Sequence, residues 1–185
     1  MRRRPLLWML LIFAAPLAGA FWLYYGSGWR PAGTTRHGEL IEPVRPLPAL
    51  PLQGAGTNAL AGKWTLLVVG MGESGCDAEC RDTLVYARQT WLSLGRLNAR
   101  VQRLLLAGMA CCDAGYLRNE HPGLIVAPAS TADAVAVLAA IPEPRVRYVF
   151  IIDPLGNLMM RYDVRQDPKG LREDLQKLLE LSHIG

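Results

Sequence analysis

Four cysteines carry most of the chemistry open to this 185-residue chain: Cys76, Cys80, Cys111 and Cys112. Cys76-Asp77-Ala78-Glu79-Cys80 places two thiols four residues apart, directly after the glycine-rich stretch Gly70-Met71-Gly72-Glu73-Ser74-Gly75. A helix opening near Cys76 would aim its first N–H groups and positive dipole end at that thiol, which favours the thiolate. The i, i+4 spacing puts both sulfurs on one helical side, within disulfide reach when the first lies at the cap. Two thiolates together also suit a soft ion such as Cu(I). Glu73, Asp77, Glu79 and Asp82 crowd the motif, with Arg81 the nearest cation. Their repulsion raises thiol pKa while attracting cations. A purely structural disulfide would close only a tiny loop, and the entropic gain grows with loop length, so position argues for function.

Cys111-Cys112 lies just past a second apolar run, so all four cysteines can converge on one rim, as a relay or a shared metal site. Ordinary burial as a small hydrophobe is the equal alternative. The histidines add little. His37 and His183 read as solvated, and His121 as a surface or cap residue at the end of the sheet away from the cysteines. Met159-Met160 reads as core and edge of one strand, Trp64 and Trp91 as core, and Arg145 and Arg147 as a solvated rim.

The elements that must hold the thiols are legible as an alternation. Lys63–Val69 is a short apolar run with β-formers, a buried strand. The helix from Cys76 to about Leu94 sets Cys80, Leu84, Ala87, Trp91 and Leu94 on one face. Val101–Ala107 is a second strand, 111–120 a loop with some helix, and Leu124–Ala127 a short edge strand. Ser130 is a candidate N-cap for a helix over Thr131–Ala140. Arg147–Asp153 and Asn157–Tyr162 flank Pro154-Leu155-Gly156, a hairpin signature. Lys169–Ser182 is amphipathic, with Leu171, Leu175, Leu178 and Leu179 inward. This order predicts an α/β fold with a mixed sheet.

Ahead of the domain, Pro5–Tyr25 is an uncharged run of membrane-spanning length. Arg2, Arg3 and Arg4 precede it, which predicts a cytoplasmic N-terminus and an exported C-terminal part. A small-residue site at Ala18-Gly19-Ala20 offers signal-peptide cleavage as the rival reading, but the apolar run continues past it. Setting the three arginines aside leaves 17 basic against 16 acidic residues, so the positive charge reflects topology and no nucleic-acid partner is expected. The division expected is 1–28 stub and anchor, 29–56 an extended Pro/Gly-rich tether, and 57–185 one domain.

Gly62-Lys63-Trp64-Thr65-Leu66-Leu67-Val68-Val69-Gly70 followed by CxxxC resembles the core of the Sco copper-chaperone family. Tyr148–Asn157 is similar to that family's later hairpin, and Leu171–Leu179 to its last helix. The resemblance spans about residues 60–181. It implies a thioredoxin-like mixed sheet flanked by helices, anchored in the inner (cytoplasmic) membrane by a single pass with the domain in the periplasm. It further implies help in delivering copper to cytochrome c oxidase subunit II, alone or with other assembly factors. Cys76 and Cys80 would be the ligands or redox pair. Two positions depart from the pattern. Asp77 stands where the family usually has Pro, and Arg145 where its third copper ligand, a histidine, is expected. A guanidinium cannot ligate copper. The readings open at this point are thiol–disulfide exchange by Cys76 and Cys80 on copper-site cysteines, a Cu(I) chaperone recruiting Cys111 or Cys112, and a non-catalytic assembly scaffold.

Overall fold

The computed structural model describes residues 4–26, 36–52, 57–70, 78–108, 113–143, 147–167 and 169–185. It divides into two units, 1–35 and 36–185. The first unit contains one helix, α1 (Arg4–Tyr25), with Pro16 inside it. Trp8–Tyr25 is long and apolar enough to cross a membrane.

The second unit is built on one six-stranded mixed sheet: β1 (Glu39–Pro46), β2 (Trp64–Gly70), β3 (Val101–Ala107), β4 (Leu124–Pro128), β5 (Tyr148–Ile152) and β6 (Asn157–Asp163). The strand order is β1-β6-β5-β2-β3-β4. β2, β3 and β4 run parallel, while β5 and β6 are antiparallel to their neighbours. Every residue of β2 and β5 is buried, as expected for central strands covered on both faces.

The strand period of two divides the core. Leu67, Val69, Leu104, Leu106, Phe150 and Ile152 face helix α4 (Ala132–Ala140), which contributes Ala134, Val137 and Leu138. Leu66, Val68, Leu105, Val149 and Ile151 face the other way, against Leu84 and Ala87 of α2 (Ala78–Ser93) and Leu171, Leu175 and Leu179 of α5 (Gly170–Leu181). Leu117 of the short α3 (Ala114–Glu120) joins that second cluster.

Two elements differ from the sequence expectation and a third gives it definite bounds. Within the stretch read as tether, Glu39–Pro46 is a strand paired antiparallel with β6. Only Ile41 on it is buried, so apolar alternation gives no signal, and prolines are tolerated at a sheet edge. The segment read as a partly helical loop contains α3, capped by Asp113, whose side chain accepts the Tyr116 N–H. Thr131 rather than Ser130 caps α4, accepting the Ala134 N–H at 3.2 Å.

Candidate functional site

The topology fixes one end of the sheet as the place where the cysteine-bearing segments leave it. Gly70 and Ala107 are register partners at the ends of β2 and β3. The Gly108 N–H donates to the Gly70 carbonyl at 2.8 Å, and the Ala129 N–H donates to the Ala107 carbonyl at 2.7 Å. β5 begins and β6 ends at this same end, with Tyr148 paired to Asp163. Cys76, Cys111, Cys112 and Arg145 lie outside the described residues, so the structure brings their parent strands together and says nothing of the side chains.

Cys80 is described. It sits in the first turn of α2, 2% exposed, on the helical face that also carries Leu84 and Ala87 toward the sheet. That face exists because residues 80, 84 and 87 repeat at helical spacing. Glu79 points outward instead and is ion-paired with Arg165 of the loop after β6. Nearby, Arg147 Nη2 lies 3.0 Å from Asp163 Oδ2, a carboxylate that is nearly enclosed. Between α2 and this loop is a cleft of about 240 Å³, lined chiefly by Glu79, Asp82, Tyr86, Arg147, Val164 and Arg165.

A buried carboxylate fastens the same end. Asp174 of α5 accepts the His37 N–H at 2.7 Å, the Gly38 N–H at 3.1 Å and the Tyr162 hydroxyl at 2.6 Å through one oxygen. Burial, then Asp174, pushes the Tyr162 phenol well above its ordinary value. Burial and the charge of Asp167 push Tyr86 up to about 12. The His37 ring stands between Asp167 (2.8 Å) and Glu173 (3.1 Å). It is therefore docked on the domain rather than carried in a free tether, while staying exposed to solvent as its reading expected. Asp174, Tyr162, Asp163 and Arg165 were not singled out from the sequence. Their partners lie at sequence separations from 12 to 137 residues, on different elements, and no local spacing marks them.

At the opposite end of the sheet, His121 closes α3 and its ring Nε2 lies 3.2 Å from the Tyr116 hydroxyl. It is buried rather than on the surface, and burial, then Arg103 and Arg88, pushes its pKa down. Trp64 and Met160 are core. Trp91 donates its ring N–H to the Asn98 and Val101 carbonyls. Arg147, read as solvated, is ion-paired with Asp163 as described. Among the described residues no three His, Cys, Asp or Glu side chains stand close enough to hold a metal ion.

A mixed sheet with this strand order, helices on both faces and a cysteine opening the helix after the central parallel strand defines a thioredoxin-like protein. A family described as transmembrane-like, thioredoxin-like, C-terminal domain matches residues 64–182, and the chain belongs to that family. Among solved structures, apo Sco1 from Thermus thermophilus matches with a TM-score of 0.61 at 18% identity, covering 80% of this chain and 99% of that one. Copper-bound ScoI from Arabidopsis thaliana matches with a TM-score of 0.55 at 17% identity, over 75% and 99%. A thiol:disulfide interchange protein from a Bacteroides species matches with a TM-score of 0.50 at 13% identity, over 79% and 91%. At these identities the likeness is one of fold, shared with Sco proteins and with thiol:disulfide interchange proteins alike. No curated protein matches the chain by sequence.

Proposed function

We propose that the chain is a membrane-anchored thiol–disulfide exchange protein that prepares copper-site cysteines for cytochrome c oxidase assembly. The observation that supports this best is the position of Cys80: buried against the sheet in the first turn of the helix that follows the central strand. A buried second thiol suits a resolving role, and leaves the more N-terminal Cys76 as the attacking one.

The exchange balances as follows. The Cys76 thiolate attacks one sulfur of a partner disulfide, and the other partner sulfur leaves as a thiolate that takes a proton from solvent. Cys80 then gives up its proton and attacks Cys76, releasing the second partner thiol and leaving a Cys76–Cys80 disulfide. The partner gains two electrons and the chain loses two, so turnover needs a dithiol reductant to restore the pair.

Anchoring through 1–28 and a tether over 29–56 would hold the domain on the periplasmic face of the inner membrane, beside oxidase subunit II and its assembly factors. The Glu39–Pro46 strand shortens the free part of that tether. A second reading treats copper as cargo. Two neighbouring thiols are the right donors for Cu(I), and copper-bound ScoI shares the fold. Against it, Arg145 takes the place the resemblance assigns to a histidine ligand, so Cys111 or Cys112 would have to complete the site.

Replacing Cys76 by Ser in the full chain should abolish oxidase activity in membranes at normal protein level; retained activity would leave only a scaffold role. Titrating the reduced chain with Cu(I) separates the other two readings. Tight stoichiometric binding lost on Cys111→Ser with Cys112→Ser would favour cargo binding over simple exchange.

A further inference from the structure

The cleft beside the thiol end has walls of opposite charge. The α2 wall presents Glu79, Asp82, Tyr86 and Gln89, and the facing wall presents Arg147, Val164 and Arg165. Most of these groups are already engaged by the chain itself. Arg165 is ion-paired with Glu79, and Arg147 with Asp163 at 3.0 Å. The Tyr86 hydroxyl donates to the Asp167 carbonyl at 3.0 Å. Of the charged groups lining the cleft, Asp82 is exposed, three residues along from Glu79 on the same helical face, and in no ion pair among the described residues. It lies two residues from Cys80. Val85 and Val164 add apolar lining to the same cleft. A spare carboxylate above an apolar strip is complementary to a side chain with an aliphatic stem and a cationic head. The acidic excess around the motif, Glu73, Asp77, Glu79 and Asp82 against Arg81, acts in the same direction by attracting positive segments.

We propose that this cleft is a docking subsite for a lysine or arginine side chain of the partner, carried on the polypeptide segment whose disulfide Cys76 attacks. The cationic head pairs with Asp82 while the stem lies along Val85 and Val164. The subsite rests on the thiol-exchange reading and adds to it the charge of the substrate segment.

The test uses the reduced full chain in lipid nanodiscs and three synthetic peptides of one sequence. Each peptide carries a single disulfide and differs at one neighbouring position, which is lysine, alanine or glutamate. Rates of disulfide transfer are read by thiol trapping and mass spectrometry. At low ionic strength the lysine peptide should react about fivefold faster than the alanine peptide, the size of a good exposed ion pair. The glutamate peptide should be slowest. High salt should compress the series. Asp82→Lys should invert the order, and Asp82→Glu should keep it. Because Asp82 is exposed, both variants should fold, which their unchanged melting curves would verify. Equal rates for all three peptides would overturn the subsite while leaving thiol exchange intact. A fastest glutamate peptide would overturn it too, by handing recognition to Arg147 and Arg165. No transfer to any peptide would remove the exchange reading and the subsite with it.

Discussion

The two ends of the sheet are built on different plans. At the end where β5 turns into β6, polar side chains are directed at the chain's own backbone. Arg100 donates to the carbonyls of Leu179, Ser182, Ile184 and Gly185. Asp153 Oδ1 accepts the Leu155 and Asn157 N–H groups, and Asn58 accepts those of Leu50 and Leu60. Gly156, at a φ of 90°, supplies the left-handed residue this turn needs. The thiol end also has backbone-directed contacts, from Asp174 and Tyr86. There, however, charged side chains pair with one another as well, Glu79 with Arg165 across the cleft and Arg147 with Asp163 beside it, and Asp82 is left over among the described residues. Backbone-directed hydrogen bonds make a closed scaffold. Side-chain ion pairs at an open cleft can be exchanged for a partner's groups, which is what a recognition edge requires.

The comparison can be broken most forcefully at Asp174, which underlies the thiol end. Asp174→Ala leaves three donors without their acceptor, and we expect a loss on the order of 4 kcal/mol in urea unfolding. It should also slow thiol exchange, because the segment carrying Val164 and Arg165 is tied through this contact network. Arg100→Ala should cost about 2 kcal/mol through its four carbonyl contacts. Exchange rates measured below the unfolding transition should not change. A slowed rate would erase the division between scaffold end and working end.

The smallest effects are in pH, and they sharpen the contrast. Tyr86 and Tyr162 at the thiol end stay neutral in the fold after free tyrosine ionises near 10. Stability present below pH 10 should therefore fall as pH rises from there toward 12, by about 1–2 kcal/mol at Tyr86. His121 at the other end has its pKa depressed below 6.5. Its contribution is present above pH 6.5 and is lost as pH falls toward the depressed value. Tyr162→Phe should flatten only the alkaline limb and His121→Gln only the acid one, as followed by unfolding midpoints across pH.

The parts of this fold that could be read from sequence are those whose order is local. The runs Trp64–Val69, Val101–Ala107 and Tyr148–Ile152 are apolar enough to be buried strands, and Pro154-Leu155-Gly156 announces its own turn. Glu39–Pro46 could not be read, because an edge strand with one buried residue and two prolines resembles a linker. The docking of His37 was missed for a related reason: its partners Asp167 and Glu173 are more than a hundred residues away. The same split runs through the candidate site. The CxxxC spacing and its acidic surroundings are visible in ten consecutive residues. The arginines that share a cleft with Glu79 and Asp82, Arg147 and Arg165, are brought there only by the β5–β6 pairing.

The central claim, that Cys76 attacks and Cys80 resolves, is tested most directly by trapping. Full-length Cys80→Ser, reduced and then incubated with membranes containing the oxidase or with a disulfide peptide, should accumulate a mixed disulfide through Cys76. The adduct should be visible on non-reducing gels and identifiable by mass spectrometry, while Cys76→Ser should form none. Absence of the adduct in Cys80→Ser, or an equal amount through Cys80 in Cys76→Ser, would contradict the assignment.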